Sequence, residues 1–90
     1  MTVYQRIIIK NQLGMHARPA IMLCELIQQF KSKVILRNCH NIEAQADSVI
    51  AMLMLDSEQG SYIDFEVIGP DEEQALAAII KLFHDKLEED

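Results

Sequence analysis

A histidine and an arginine two residues apart, His16 and Arg18, are the residues of this chain best suited to chemistry on an anion. They lie in segment 14–20, which reads GMHARPA and leads into an apolar pattern typical of a helix. Pro19 suits the first turn of that helix, because the backbone N–H groups there have no internal partner. The segment predicts a helix that begins near Ala17, with His16 at the positive end of its dipole.

A tetrahedral phosphoryl group matches the donors expected at this helix end. The guanidinium of Arg18 and the N–H groups near Ala17 and Arg18 would converge on one anion in the field of the dipole. The positive end of the dipole disfavours a cationic side chain in the first turn. An anion bound at this helix end would explain why Arg18 is there. We identify His16, Ala17 and Arg18 as candidate phosphate-binding residues, and His16 and Arg18 as candidate catalytic residues.

Length, composition and charge limit the class of protein. Ninety residues, half of them hydrophobic, suffice for one core, so we expect a single domain over residues 1–90. The net charge of −6 opposes a nucleic-acid partner, which would need a basic face. No apolar stretch approaches the roughly 20 residues that span a bilayer, and there is no secretion signal. We therefore expect a cytoplasmic protein that does not insert into membranes.

The two cysteines, Cys24 and Cys39, are expected to be free thiols in a reducing compartment. Cys24 lies on the apolar stripe of the first helix, so core packing explains it. Cys39 stands beside His40 in a turn, but a metal site needs more ligands at regular spacing. We therefore predict no metal site.

Alternation of apolar and polar residues predicts four strands of one antiparallel sheet. The inward-facing residues are Val3, Ile7 and Ile9 in the first strand and Ile63, Phe65 and Val67 in the fourth. Two shorter strands, 34–37 and 42–46, flank a turn at 38–41 and form a hairpin.

Helical spacing predicts two long helices. Their apolar stripes are Ala20, Leu23, Cys24, Ile27 and Phe30 in the first and Leu76, Ile79, Ile80, Phe83 and Leu87 in the last. The last helix begins after Gly69 and Pro70 and has acidic residues in its first turn. Packing the helices on one face of the sheet, with the other face in solvent, gives a two-layer α+β sandwich.

Segment 48–55 is apolar after Ser48, so periodicity alone does not assign it. We interpret it as a short helix, because Asp47 and Ser48 are good N-cap residues. Two turns cannot direct seven consecutive apolar side chains into the core, so some should form an exposed docking surface. Ordinary core packing of Met52 and Met54 is the alternative. The candidate docking patch consists of Ile21, Met22, Val49, Ile50, Leu53 and Met54.

The GMHARPA motif, the order of elements and Ser48 at the start of the second helix resemble the HPr family over essentially the whole chain. These are the histidine-containing phosphocarrier proteins of the phosphoenolpyruvate-dependent phosphotransferase system. The resemblance implies an open-faced β-sandwich in the order β-α-β-β-α-β-α, without metal or organic cofactor. It also implies that Nδ1 of His16 takes a phosphoryl group from phosphorylated enzyme I and passes it to a histidine on an acceptor. The chain would then be a monomeric phosphoryl carrier rather than an independent enzyme.

Within the HPr family the chain is more similar to the nitrogen-related branch, often called NPr, than to the sugar-transport branch. Sugar-transport members usually carry lysines around the second helix and along the first, where this chain has Ala51, Glu25 and Gln28. The difference implies an enzyme I homologue as donor and a IIA-type regulatory protein as acceptor. In some relatives a kinase phosphorylates the serine that matches Ser48, so Ser48 is a candidate regulatory residue beside its expected role as an N-cap.

Three alternatives stay open from the sequence. A sugar-transport HPr would share the motif and use other partners. A small regulatory module could bind an anion reversibly through His16 and Arg18. An independent hydrolase fits less well, because no acid, cysteine or second histidine is spaced for a triad and no glycine loop is present to cradle phosphate.

Overall fold

The computed structural model describes residues 2–88, so Met1, Glu89 and Asp90 of the expected domain lie outside the described residues. The strands are β1 (Thr2–Ile8), β2 (Lys33–Asn38), β3 (Glu43–Gln45) and β4 (Tyr62–Ile68). The helices are α1 (Ala17–Ile27), α2 (Val49–Leu53) and α3 (Glu72–Lys86). The elements follow the expected order β-α-β-β-α-β-α.

The four strands form one antiparallel sheet in the order β1-β4-β2-β3, so the last strand of the chain lies between β1 and β2. The inward side chains of β4, which are Ile63, Phe65 and Val67, are fully buried. On the opposite face Arg6 of β1 pairs with Asp64 of β4 at 2.7 Å. Because successive side chains of a strand point to opposite faces, one face is apolar and covered while the other is polar and open.

The helices supply the second layer of the fold. α3 contacts β1 and β4, α2 contacts β3, and α1 contacts both other helices. Buried residues of all three helices join those of the sheet in one hydrophobic core. The predicted α+β sandwich with one open face is confirmed. Within residues 2–88, no helix has the length and apolar character needed to cross a bilayer.

The buried stripe of α3 differs from the predicted one. Ala75, Ile79 and Phe83, four residues apart, face the core, and Phe83 meets Phe65 edge-on with ring centroids 5.5 Å apart. The placement of Ile80 in the core was wrong, since its side chain is 40 % exposed. Ile80 lies about 100° around the helix from Ile79 and therefore reaches only the border of the buried face.

Two other elements are shorter than their patterns suggest. α1 ends at Ile27, and Phe30 follows it as a half-buried residue packed against the core. Cys24 is also half-buried rather than fully enclosed. β3 has three residues instead of the five in 42–46, and it pairs only with β2 at the edge of the sheet.

Candidate functional site

His16 is the N-cap residue of α1. Its backbone is extended (φ −110°, ψ −171°), and its carbonyl oxygen accepts a hydrogen bond from the N–H of Ala20 at 3.2 Å. Its side chain makes no capping hydrogen bond to the helix. The structure therefore places His16 at the positive end of the helix dipole, and the imidazole is not used to terminate the helix.

Two backbone N–H groups directly follow His16 and lie outside the hydrogen-bond ladder of α1. They belong to Ala17 and Arg18, the first two helical residues. Pro19, the third, has no N–H, and Ala20 already donates to His16. The Arg18 side chain is exposed. The first turn thus places two adjacent backbone amides and the exposed Arg18 side chain within two residues of His16.

The imidazole of His16 is half-buried, and one of its nitrogens is enclosed by the protein. Nε2 has less than 1 Å² of accessible surface. A reagent in solvent must therefore approach the ring from another edge.

The loop between β1 and α1 carries His16 and lies directly against the segment after α2. The N–H of Gly14 donates to the carbonyl oxygen of Asn11 at 3.2 Å and closes a turn. The N–H of Met15 donates to the carbonyl oxygen of Ser57 at 2.9 Å. Gly14 has φ +67°, and a Cβ there would lie 2.1 Å from the Ser57 oxygen. Only glycine fits at this position, so the loop has one tightly defined path to His16.

Sequence reasoning missed two residues that hold this loop, Asn11 and Ser57. The side-chain Nδ2 of buried Asn11 donates to the carbonyl oxygen of Gly14 at 2.6 Å. Asparagine three residues before glycine is typical of a turn, so the signal for Asn11 was present. Ser57 acts through its backbone carbonyl, which no side-chain pattern reveals.

The candidate docking patch lies across two helices that contact each other, α1 and α2. Ile21, Ile50, Leu53 and Met54 are exposed, with Ile50 at 73 % and Met54 at 72 %, whereas Met22 and Val49 are half-buried against the core. Arg18 and Ile21 are three residues apart and share one side of α1. One end of the patch therefore lies on the same side of α1 as Arg18.

Residues 48–55 do contain the predicted short helix. The Oγ of Ser48 accepts a hydrogen bond from the N–H of Ala51 at 3.2 Å, which makes Ser48 the N-cap of α2. Met52 is fully buried, whereas Met54 is exposed. The alternative of ordinary core packing thus holds for Met52 and fails for Met54.

Cys39 and His40 are exposed in the β2–β3 turn. The turn is held by Asn38, whose Oδ1 accepts hydrogen bonds from the N–H groups of His40 and Ile42, both at 2.9 Å. Among residues 2–88, no three His, Cys, Asp or Glu side chains are grouped to hold a metal ion. His84 is an exposed residue of α3, 3.4 Å from a carboxylate oxygen of Glu88.

A second anchor fixes the far end of α1. The carboxylate of Asp71, at the start of α3, accepts hydrogen bonds from the Ser32 hydroxyl at 2.5 Å and from the Lys31 N–H at 2.9 Å. These hydrogen bonds lower the pKa of Asp71 below its usual value, and the bond from Ser32 has the larger effect. The chain leaving α1 is thereby tied to α3.

Comparisons with known proteins agree with this geometry. The sequence profile of the PTS-HPr family, described as the PTS HPr component phosphorylation site, matches residues 3–85. Over the full length of both chains, this chain is 62 % identical to phosphocarrier protein NPr of Proteus mirabilis and 57 % identical to that of Escherichia coli K12. The crystal structure of HPr-C-His from Thermoanaerobacter tengcongensis superposes with a TM-score of 0.88 at 31 % identity, covering 98 % of each chain. The chain therefore belongs to the HPr family of phosphocarrier proteins and, within it, to the NPr branch.

Proposed function

We propose that His16 accepts a phosphoryl group from a phosphorylated enzyme I homologue and passes it to a IIA-type regulatory protein. The observation that carries this proposal is the position of His16 as N-cap of α1, directly before the amide donors of Ala17 and Arg18. Membership of the NPr branch supports a phosphocarrier role in a phosphotransferase system. It also favours the nitrogen-related partners over those of sugar transport.

Nδ1 of His16 is the nitrogen that we assign to the reaction. A neutral imidazole nitrogen is a nucleophile that needs no separate base. As Nδ1 attacks phosphorus, a new N–P bond forms, the bond between phosphorus and the donor side chain breaks, and its electron pair returns to the donor. The enclosure of Nε2 supports this choice. In the second transfer a histidine nitrogen of the acceptor attacks, and His16 leaves with the electron pair of its N–P bond.

Arg18 and the adjacent amides stabilise the phosphoryl group during transfer. Phosphoryl transfer depends mainly on positioning and on charge stabilisation. The N–H groups of Ala17 and Arg18 would bind two phosphoryl oxygens, while the guanidinium neutralises part of their charge. The exposure of Arg18 supports this role, because the partner must reach phosphorus in line from the side opposite His16.

The candidate docking patch would contact both partners in turn. Ile21 of the patch lies three residues after Arg18 on α1, and the flexible Met54 suits a surface that binds more than one protein. Such contacts should be small and transient. We further infer that the chain works in the cytoplasm as a monomer, which agrees with its free cysteines, Cys24 and Cys39.

The Ser48 hydroxyl already serves as the cap of α2. This bond accounts for Ser48 as a structural residue, and a phosphoryl group on the half-buried hydroxyl would compete with the cap.

Mass spectrometry of the intact chain tests the proposed function. Incubation with phosphoenolpyruvate and a matching enzyme I should add one phosphoryl mass that is lost in acid. The mass should be absent from His16→Ala and present in His84→Ala, which removes an exposed histidine outside the site. Faster transfer from the nitrogen-related enzyme I than from a sugar-transport enzyme I would support the branch-specific donor. An unchanged mass with every donor would contradict phosphorylation and leave reversible anion binding.

A further inference from the structure

We propose that Asn11 is a positioning residue for phosphoryl transfer, which acts on His16 through the main chain of the β1–α1 loop. This inference rests on the proposed phosphorylation of His16. Asn11 lies five residues before His16 and is only 3 % exposed. A buried carboxamide is costly unless it is hydrogen-bonded, so its partners indicate what the residue is for.

One carbonyl oxygen joins Asn11 to His16. The Gly14 oxygen accepts a hydrogen bond from Nδ2 of Asn11 at 2.6 Å and another from the backbone N–H of His16 at 3.1 Å. A carbonyl oxygen has two lone pairs, and these two donors use both. A shift of the Asn11 side chain therefore moves the peptide group that holds His16 in place.

The histidine depends on this backbone support. The ring is carried by the backbone of His16, so the path of residues 14–16 contributes to its position relative to the amides of Ala17 and Arg18. A misplacement of about 1 Å at a reacting group can slow a reaction about a hundredfold. Asn11 is thus well placed to control reactivity without touching the phosphoryl group.

A second buried asparagine supplies a matched control. Asn38 is 6 % exposed, and its Nδ2 donates to the carbonyl oxygen of Leu55 at 2.8 Å. This side chain holds loop backbone by the same chemistry as Asn11, but its partner carbonyl belongs to Leu55, on the segment after α2 rather than on the β1–α1 loop. Loss of either side chain should lower stability, whereas loss of Asn11, which shares a partner carbonyl with His16, should alter His16 far more.

The experiment compares Asn11→Asp, Asn11→Ala and Asn38→Ala with the wild-type chain. Asn11→Asp keeps the shape of the side chain and replaces the donor by a carboxylate oxygen, while Asn11→Ala removes the group. The measurements are the rate of phosphorylation by phosphoramidate well below each melting temperature, hydrogen exchange at the His16 amide by NMR, and the melting temperature. A small donor separates the reactivity of His16 from partner docking.

We expect both Asn11 variants to be phosphorylated about tenfold more slowly, the kinetic equivalent of one net hydrogen bond, with faster exchange at the His16 amide. Asn38→Ala should melt at a lower temperature and react at a rate close to that of the wild-type chain. A folded Asn11 variant with wild-type rate and exchange would overturn the inference, as would an equal slowing in Asn38→Ala. If the wild-type chain accepts no phosphoryl group from any donor, the proposed function fails, and exchange at His16 alone decides whether Asn11 holds the loop.

Discussion

Gly14 and Ser57 are in direct backbone contact, so close that a Cβ on Gly14 would lie 2.1 Å from the Ser57 carbonyl oxygen. The same oxygen accepts the N–H of Met15 at 2.9 Å. The loop that carries His16 and the segment that follows α2 are therefore in van der Waals and hydrogen-bond contact at one point. The loop and the segment after α2 cannot shift independently there.

Gly14→Ala should destabilise the chain by about 2 to 4 kcal/mol, because it combines a positive φ with a clash against backbone. Gly60→Ala is the control, since Gly60 also has a positive φ (+90°) but a Cβ there meets nothing within 4 Å. The cost of Gly60→Ala should be about 1 kcal/mol, that of a positive φ alone. Urea denaturation measures both, and equal losses would show that the Ser57 contact is unimportant.

Arg18→Ala should slow phosphoryl transfer about a hundredfold, the usual effect of removing one donor that stabilises charge in a transition state. The melting temperature should stay close to that of the wild-type chain, because the side chain is exposed. Rapid-quench kinetics with phosphorylated enzyme I measures the rate. Arg18→Lys keeps the charge without the planar guanidinium, so its transfer rate should lie between those of Arg18→Ala and the wild-type chain. Parallel loss of rate and thermal stability in Arg18→Ala would instead indicate a structural role.

Ile50→Glu should weaken binding to both partners about tenfold or more, because it introduces a charge into an apolar contact. Phosphorylation of His16 by phosphoramidate should be unaffected. Ile42→Glu provides the control, because Ile42 is also an exposed isoleucine but lies in the β2–β3 turn, outside the candidate docking patch. Titration calorimetry with the enzyme I homologue would measure the affinities. Similar affinities for Ile50→Glu and Ile42→Glu would show that the candidate docking patch does not contact the partners.

Asp71→Asn should lower the melting temperature at pH 7 and have less effect in acid. The pKa of Asp71 is lowered in the folded chain by its hydrogen bonds from Ser32 and Lys31. The contribution of the Asp71 carboxylate to stability is therefore complete above the pKa of about 3.8 that it has in the unfolded chain. It is lost as the pH falls through the lower pKa of the folded chain. Thermal melts from pH 7 to pH 2 measure the difference between the two chains. A difference that stays constant across this range would mean that the Asp71 charge does not matter.

The elements that local patterns mark most strongly were predicted well. Alternation around Phe65 marks β4 and Pro19 marks the start of α1, because both signals arise within a few residues of chain. The insertion of β4 between β1 and β2 leaves no such local signal, since strand pairing is decided by contacts distant in sequence. In α3 the stripe was misplaced because Ala75 is small and Ile80 is strongly apolar, although the helix geometry buries the first and exposes the second.

The candidate site shows the same limit. His16 and Arg18 are visible in the sequence because they lie two residues apart at the start of a helix. The support of the loop by Ser57 is tertiary and uses a backbone oxygen that every residue type possesses. In the sequence such a contact is visible only indirectly, because it requires glycine at position 14.

The enclosed Nε2 of His16 has a consequence for the order of events in a relay. An imidazole with one accessible nitrogen forms a single regioisomer of phosphohistidine. The phosphoryl donor and the phosphoryl acceptor must therefore approach His16 from the same direction. The donor protein and the acceptor protein therefore cannot both be bound at His16 at the same time. On the proposed function, the chain must leave its donor before it meets its acceptor, and it works as a shuttle rather than as a bridge.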